Sequence, residues 1–125
     1  MAALIPDGVD ALAGLEMGGI PVATVLSQVT GLPTLFVRKV AKEYGTCKLV
    51  EGGDVAERRL VIIEDVITSG GQVIASAKEL RNLDCTVTHV LCVIDRESGG
   101  LANCQQHGLH LQALFTASEL KALAE

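Results

Sequence analysis

The chain has 125 residues, of which 49% are hydrophobic and 20% charged, with a formal net charge of −5 and an isoelectric point near 5.1. This length supports one domain with a single core. The acidic balance argues against nucleic-acid binding, which normally requires a basic face. One Tyr, two Phe and no Trp provide no aromatic platform for bases. No apolar run approaches the roughly 20 residues of a membrane span.

The N-terminal residues show no secretory signal pattern. The four cysteines lack the CxxC spacing of zinc sites and do not suggest a disulfide framework: Cys47, Cys85, Cys92 and Cys104. We therefore expect a reduced, cytoplasmic protein without membrane contact. The three histidines have no plausible partner set for catalysis or metal binding, so we expect structural roles for His89, His107 and His110.

The first predicted strand covers residues 9–15 and runs into a turn, residues 16–19, that contains Gly18 and Gly19. A helix follows over about residues 20–30, with Pro21 in its first turn and Gly31 just after its end. This turn, called the glycine turn below, is a candidate anion site because glycine lets backbone approach a ligand closely. Alternatively, it only connects a strand to a helix.

Residues 34–37 form a second predicted strand, and the polar stretch after it has no sustained period up to about residue 58. A connection of this length in a compact domain is usually a functional lid or disordered. Cations at its start, Arg38, Lys39 and Lys42, would suit a polyanion such as pyrophosphate. The alternative is a solvated charged loop.

The most informative stretch begins with the apolar run of residues 60–63, which predicts a buried strand of a parallel sheet. Glu64 and Asp65 follow where this strand should emerge, and a turn of hydroxyls and glycines, residues 68–71, leads into a helix over residues 71–83. We call this turn the phosphate turn, because its N–H groups and the helix N-terminus can bind a phosphate while the carboxylates accept sugar hydroxyls. The alternative is a simple helix N-cap at Thr68 or Ser69.

The remaining elements are a strand over residues 86–94, a helix over 101–107, a strand over 109–115 and a helix over 118–124 with Ser118 as N-cap. This order predicts a three-layer α/β/α fold with a mostly parallel sheet. Ligands bind at the carboxyl edge of such sheets.

The polar segment of residues 95–100 should lie at this edge. A guanidinium such as that of Arg96 has the right chemistry for a planar carboxylate. The alternative is a surface side chain paired with Asp95 or Glu97.

The run of residues 59–71 resembles the 5-phosphoribosyl-1-diphosphate (PRPP) signature of type I phosphoribosyltransferases. Residues 35–46, together with residues 51–55, resemble the mobile catalytic loop of orotate phosphoribosyltransferases, and the segment Asp95-Arg96-Glu97 matches the orotate-binding segment of that family. The resemblance implies Mg²⁺-dependent transfer of ribose 5-phosphate from PRPP to orotate, which yields orotidine monophosphate and pyrophosphate.

It further implies a single phosphoribosyltransferase core over residues 1–125, a mobile lid over about 38–58, and a homodimer whose lid residues reach the neighbouring subunit. The resemblance assigns PRPP binding to Arg38, Lys39, Lys42, Tyr44, Glu64, Asp65, Val66, Ile67, Thr68, Ser69, Gly70, Gly71 and Gln72. It assigns the pyrophosphate loop to Glu16, Met17, Gly18 and Gly19, orotate binding to Thr68 and Arg96, and catalysis to Arg38, Lys42 and Asp65. Mg²⁺ would be held mainly through PRPP.

The chain departs from the family pattern at two places. Many relatives carry Tyr-Lys where this chain has Met17-Gly18, and a histidine where it has Tyr44. The family usually has several tens of residues before the first strand, which form a hood over the base. By this resemblance the chain is either truncated or a short form with an open base site. A non-catalytic PRPP-binding regulator and a phosphoribosyltransferase for another base are the alternative hypotheses.

Overall fold

The computed structural model describes residues 1–39 and 49–124. The strands are β1 (Ala11–Leu15), β2 (Thr34–Val37), β3 (Val50–Glu51), β4 (Arg59–Ile67), β5 (Thr86–Asp95) and β6 (His110–Thr116). The helices are α1 (Gly19–Thr30), α2 (Gly71–Asn82), α3 (Gly100–Gln106) and α4 (Ala117–Ala124), preceded by a 3₁₀ turn at Ala2–Leu4. In these described ranges no helix has the length and apolar character needed to cross a membrane.

The six strands form one sheet in the order β3-β2-β1-β4-β5-β6. All neighbouring pairs are parallel except β2 and β3. The chain winds outward from β1 to β2 and then returns to β4 on the other side of β1, so the strand order reverses between β1 and β4. Ligands of open α/β sheets bind in the crevice at such a reversal, outside the carboxyl ends of the strands.

Helices cover both faces of the sheet. On one face, α1 packs Ala23 and Leu26 against Leu12, Val61 and Ile63, all of which are buried. On the other face, α2 and α3 contribute their own buried residues to a second cluster with the strands, namely Val73, Ala77, Leu80 and Cys104. The predicted three-layer α/β/α architecture with a mostly parallel sheet is therefore confirmed.

Strand β4 is longer than the buried run predicts. It continues to Ile67 because its pairing with β5 continues, with Glu64 opposite Cys92 and Ile67 opposite Asp95. Glu64 and Asp65 thus lie near the end of β4 rather than after it, and the Glu64 side chain is half-buried. The two-residue strand β3 was not predicted, because two residues carry no periodic signal.

Two predicted helix caps are wrong. The N-cap of α2 is Gly70, with φ +85° and no side-chain cap, rather than Thr68 or Ser69. At α4 the capping residue is Thr116 rather than Ser118. The Thr116 Oγ1 accepts the Glu119 N–H at 3.2 Å and donates to Glu119 Oε1 at 3.1 Å, which is a reciprocal cap. The predicted end of α1 is confirmed, since Gly31 has φ +77° and its N–H donates to Ser27 O at 2.9 Å.

The cysteines and histidines that the structure describes lie in or beside the sheet. Cys85, Cys92 and Cys104 are buried free thiols, whereas Cys47 lies outside the described residues. The rings of His89 and His110 meet edge to face with centroids 5.5 Å apart. His107 Nδ1 lies 2.9 Å from the main-chain oxygen of Asn103, across one turn of α3.

Candidate functional site

The glycine turn and the end of β4 meet at the strand-order reversal. Because β1 and β4 are parallel neighbours, with Gly14 opposite Ile63, the residues that leave both strands emerge at one edge. A Cβ added at Gly18 would lie 2.1 Å from Asp65 Oδ2, and one added at Gly19 would lie 2.2 Å from the Ile63 main-chain oxygen. Only residues without a Cβ allow this approach. The predicted pyrophosphate loop and the predicted sugar-binding acids are therefore side by side. The Glu16–Met17 peptide bond, just after β1, is cis.

The acidic pair is held in place by main-chain hydrogen bonds. The Asp65 N–H donates to Glu64 Oε1 at 3.0 Å, and the Val66 N–H donates to Asp65 Oδ1 at 2.7 Å. Burial raises the pKa of Glu64 to about 7, and the nearby Asp65 carboxylate adds to this rise. The Asp65 N–H and the Lys39 ammonium act in the opposite direction on the same pKa. One carboxyl of the pair is thus partly protonated near neutral pH, so a ligand can change its charge state.

The phosphate turn lies next to these acids and lines an open cavity of about 120 Å³. The cavity is lined by Glu64, Val66, Ile67, Thr68, Ser69, Gly70, Gly71, Gln72 and Val73. Since about 10–15 Å³ of such space is enough for one water, this volume has room for a phosphoryl group. The first N–H groups of the twelve-residue helix α2 have no partner within the helix, and the residues that carry them line the cavity. The geometry suits an anion next to a hydrogen-bond-accepting pair.

Gln72 is directed to a different partner. Its Nε2 donates to Ser76 Oγ at 3.1 Å, one turn further along α2. The residue lines the cavity, but its amide is already engaged within the helix.

The beginning of the predicted lid is joined to the glycine turn. The Lys39 N–H donates to Glu16 Oε1 at 2.5 Å, and Arg38 Nη2 lies 3.7 Å from Glu51 Oε1. Arg38 and Lys39 therefore start from the same edge as the acidic pair. Lys42 and Tyr44 lie outside the described residues. The contacts of Glu16 with Lys39 and of Glu51 with Arg38 were not predicted. Glu16 is far from Lys39 in sequence, and Glu51 lies in the unpredicted strand β3.

Arg96 follows β5 at the same edge, and its side chain is exposed. Its N–H donates to Ile67 O at 2.9 Å, which ties it to the end of β4. The carboxylates beside it bind main-chain donors instead of its guanidinium: Asp95 Oδ1 accepts the Glu97 N–H at 2.8 Å, and Glu97 Oε1 accepts the Ser118 N–H at 2.6 Å. Across residues 1–39 and 49–124 no ion pair involves Arg96, so the alternative of a surface pair with Asp95 or Glu97 is not what this structure shows.

The buried thiols beside the site are poor nucleophiles. Burial raises the pKa of Cys92 to about 12, and Asp95 and Glu64 add to the rise. Burial also raises the pKa of Cys104. Both side chains remain protonated thiols at neutral pH, which leaves carboxylates, main-chain amides and cations as the chemically active groups of the site.

No cluster of three or more metal-binding side chains is found in the part of the chain that the structure describes. The oxygen ligands available at the edge, Glu64 and Asp65, are nevertheless the type that Mg²⁺ prefers. Mg²⁺ is commonly bound by one or two carboxylates together with substrate phosphates. The donor set therefore fits a magnesium ion that arrives with a phosphorylated ligand.

Comparison with known proteins agrees with this geometry. The phosphoribosyl transferase domain model matches residues 2–105. The chain is 51% identical over 125 residues to the orotate phosphoribosyltransferase of Nocardioides sp. (strain ATCC BAA-499 / JS614), covering all of this chain and 70% of that protein. It is 40% identical over 120 residues to the orotate phosphoribosyltransferase of Methanocella arvoryzae, covering 96% of this chain and 69% of that protein.

Two solved structures are similar to this protein over most of its chain. The orotate phosphoribosyltransferase of Aeropyrum pernix superposes with a TM-score of 0.82 at 31% identity, covering 93% of this chain and 66% of that one. A phosphoribosyltransferase from Corynebacterium diphtheriae gives the same TM-score of 0.82 at 30% identity, covering 90% of this chain and 67% of that one. The chain thus spans about two thirds of the length of these proteins. It belongs to the phosphoribosyltransferase family, within the orotate phosphoribosyltransferase branch.

Proposed function

We propose that this protein transfers ribose 5-phosphate from PRPP to orotate and releases pyrophosphate. The observation that supports the proposal is the close approach of Gly18 and Asp65, which brings the glycine turn next to the acidic pair at one edge of the sheet. PRPP presents a diphosphate, ribose hydroxyls and a 5-phosphate in the matching order. The alternatives, a regulator or an enzyme for another base, have no comparable observation in their favour.

The acid pair would bind the ribose. Asp65 Oδ2 lies over the glycine turn and Glu64 lies beside the phosphate turn, so together they reach the sugar between its two charged ends. Carboxylates accept hydrogen bonds from the 2- and 3-hydroxyls and favour the positive charge that develops on the anomeric carbon. The 5-phosphate would occupy the 120 Å³ cavity at the N-terminus of α2.

The cations would bind the leaving diphosphate. Arg38 and Lys39 begin the lid next to Glu16, and Lys42 follows in the segment outside the described residues. Closure of the lid would exclude water, which would otherwise hydrolyse PRPP. Bound Mg²⁺, held by the diphosphate and the acid pair, would supply charge neutralisation on the phosphate oxygens. Arg96 would donate two parallel hydrogen bonds to the orotate carboxylate.

Two further properties are part of the proposal. We expect a homodimer in which lid cations complete the neighbouring site, and a cytoplasmic location. Mixing Lys42→Ala with Asp65→Asn tests the first: each variant alone should have little activity, and the mixture should regain part of it. No recovery in a mixture shown to exchange subunits would contradict a shared site.

Binding and turnover are measured separately. Calorimetry with PRPP and Mg²⁺ should show binding, and orotate consumption should follow when orotate is added. The variant Asp65→Asn should weaken PRPP binding by about 1–3 kcal/mol, the range for loss of a charge-assisted hydrogen bond. Asp84→Asn is the matched control, since Asp84 is exposed at the opposite end of α2 with φ +66°, a conformation that Asn tolerates.

Binding of PRPP without any transfer would contradict the proposed enzyme, and transfer only to uracil or a purine would contradict orotate as acceptor. Equal PRPP affinity of Asp65→Asn and the wild-type protein would remove Asp65 from the ribose site.

A further inference from the structure

The first turn of α3 packs directly behind the phosphate turn. A Cβ added at Gly100 would lie 2.8 Å from both the Thr68 main-chain oxygen and Ile67 Cγ2, and one added at Gly70 would lie 3.3 Å from Cys104 Sγ. These spacings leave no room for another layer between helix and turn. The α3 helix therefore packs against residues that line the phosphate cavity, which makes this short helix part of the support of the site.

One polar side chain joins the two segments. Asn103 Nδ2 donates a hydrogen bond of 2.9 Å to the Ser69 main-chain oxygen. The N–H of Gly70 belongs to the same planar peptide unit as that oxygen and points in the opposite direction, because the two groups of a trans peptide are antiparallel. Holding the oxygen toward α3 thus turns the Gly70 N–H away from α3, toward the side on which the cavity lies.

The Gly70 N–H is available for a ligand. Gly70 is buried with φ +85°, and its N–H donates to no other residue in the two described segments. Gly70 lines the cavity, so an oxyanion bound there can accept a hydrogen bond from the Gly70 N–H. Its direction depends on the orientation of a peptide next to a flexible glycine, and Asn103 restricts that orientation.

We propose that Asn103 is a positioning residue for the 5-phosphate, acting through the Ser69–Gly70 peptide without touching the ligand. This inference deepens the proposed function and rests on it. The choice of asparagine is not explained by helix formation, because Asn is a weak helix former and Ala would be better at this half-buried helix position. The Asn103 side-chain amide instead supplies the N–H that donates to the Ser69 main-chain oxygen.

The test uses ribose 5-phosphate and Mg²⁺-pyrophosphate as separate calorimetric probes on Asn103→Ala, Asn103→Asp and the wild-type protein. Asn103→Ala should raise the dissociation constant of ribose 5-phosphate by about two- to tenfold, the effect of one hydrogen bond. Asn103→Asp should weaken it further, because a carboxylate cannot donate and adds negative charge behind the cavity. The melting temperature of Asn103→Asp shows whether this further loss comes from unfolding of α3 instead.

Pyrophosphate affinity should stay unchanged in both variants, and the melting temperature should fall by no more than the loss of one hydrogen bond explains. Gln105→Ala is the matched control, since it removes an exposed amide from the same helix that makes no side-chain hydrogen bond to the described residues. If the wild-type protein binds no ribose 5-phosphate, the proposed function fails. If the wild-type protein binds but both Asn103 variants match it, or if both lose ribose 5-phosphate and pyrophosphate equally, the positioning role is overturned.

Discussion

The Asp65 carboxylate lies directly against the main chain of Gly18, so that a Cβ at position 18 would meet Asp65 Oδ2 at 2.1 Å and Oδ1 at 2.6 Å. The two residues are 47 positions apart in sequence; Gly18 follows β1, and Asp65 lies near the end of the neighbouring parallel strand β4. A side chain at position 18 would require the Asp65 carboxylate to move. This contact also joins the part of the site proposed for pyrophosphate to the part proposed for ribose.

The two glycines of this turn should respond differently to substitution by alanine. In Gly18→Ala the Asp65 side chain must rotate away, so PRPP affinity should fall while the melting temperature changes little. In Gly19→Ala the new methyl group meets the Ile63 main-chain oxygen, which cannot rotate away. That variant should lose about 1–3 kcal/mol of folding free energy, the usual cost of overpacking.

Urea unfolding and calorimetry with PRPP distinguish the two variants. A Gly18→Ala protein that binds PRPP as tightly as the wild-type protein would show that the position of Asp65 over the glycine turn is not required.

The stability of the protein should depend on pH through Glu64. Its pKa is raised from 4.5 to about 7 by burial and by Asp65, so the folded state binds the proton more tightly than the unfolded state. The contribution of Glu64 to stability is therefore complete below about pH 4.5 and is lost as pH rises through about 7. Urea titrations between pH 4.5 and 8 should show the wild-type protein losing stability relative to Glu64→Gln, and parallel curves would contradict the raised pKa.

Ligand binding should release a proton from the same group. At pH 6 most of Glu64 is protonated, and hydrogen bonds from ribose hydroxyls together with Mg²⁺ favour its ionised form. Calorimetry of ribose 5-phosphate with Mg²⁺ in buffers of different ionisation enthalpy should therefore detect proton release that is smaller in Glu64→Gln. The comparison between variants also removes the contribution of the phosphate group, which titrates near pH 6.

Glu16 should act as an anchor for the lid rather than as a charged ligand. Its Oε1 accepts the Lys39 N–H, and the amide oxygen of Gln can accept the same bond. We expect Glu16→Ala to lower kcat more than it weakens PRPP binding, and Glu16→Gln to retain most of the activity. The exposed Glu79 on α2 provides a control as Glu79→Ala. Equal losses in Glu16→Gln and Glu16→Ala would show instead that the negative charge is needed.

Glu97 should influence the acceptor side alone. It has φ +59° and joins the Arg96 loop to α4 through the Ser118 N–H, a contact that lowers the pKa of Glu97. Glu97→Ala should raise the KM for orotate and leave PRPP affinity unchanged, because the segment that carries Arg96 is then no longer fixed to α4. Glu97→Gly separates the two causes, since it accepts the positive φ without strain but lacks the carboxylate. Unchanged KM in both variants would contradict the role.

Local sequence patterns predicted most of the elements. The apolar run before Glu64 indicated a buried strand, and the glycines at positions 18, 19 and 31 indicated turns and a helix end. These signals are local, because side-chain periodicity and backbone freedom act within a few residues. The same reasoning failed at Thr116 and at Gly70, where neighbouring candidates for a cap have similar propensities and the final geometry of the turn selects one.

The acid pair, the glycine turn and the phosphate turn can each be recognised in the sequence as separate motifs with compatible chemistry. The folded domain adds three contacts that the sequence did not predict: Asp65 lies against Gly18, Glu16 accepts the Lys39 N–H, and Asn103 donates to Ser69. Each of these contacts joins segments brought together by the order of strands in the sheet. That order depends on which apolar faces bury each other across the whole domain, and this competition among distant segments leaves no local pattern in the chain.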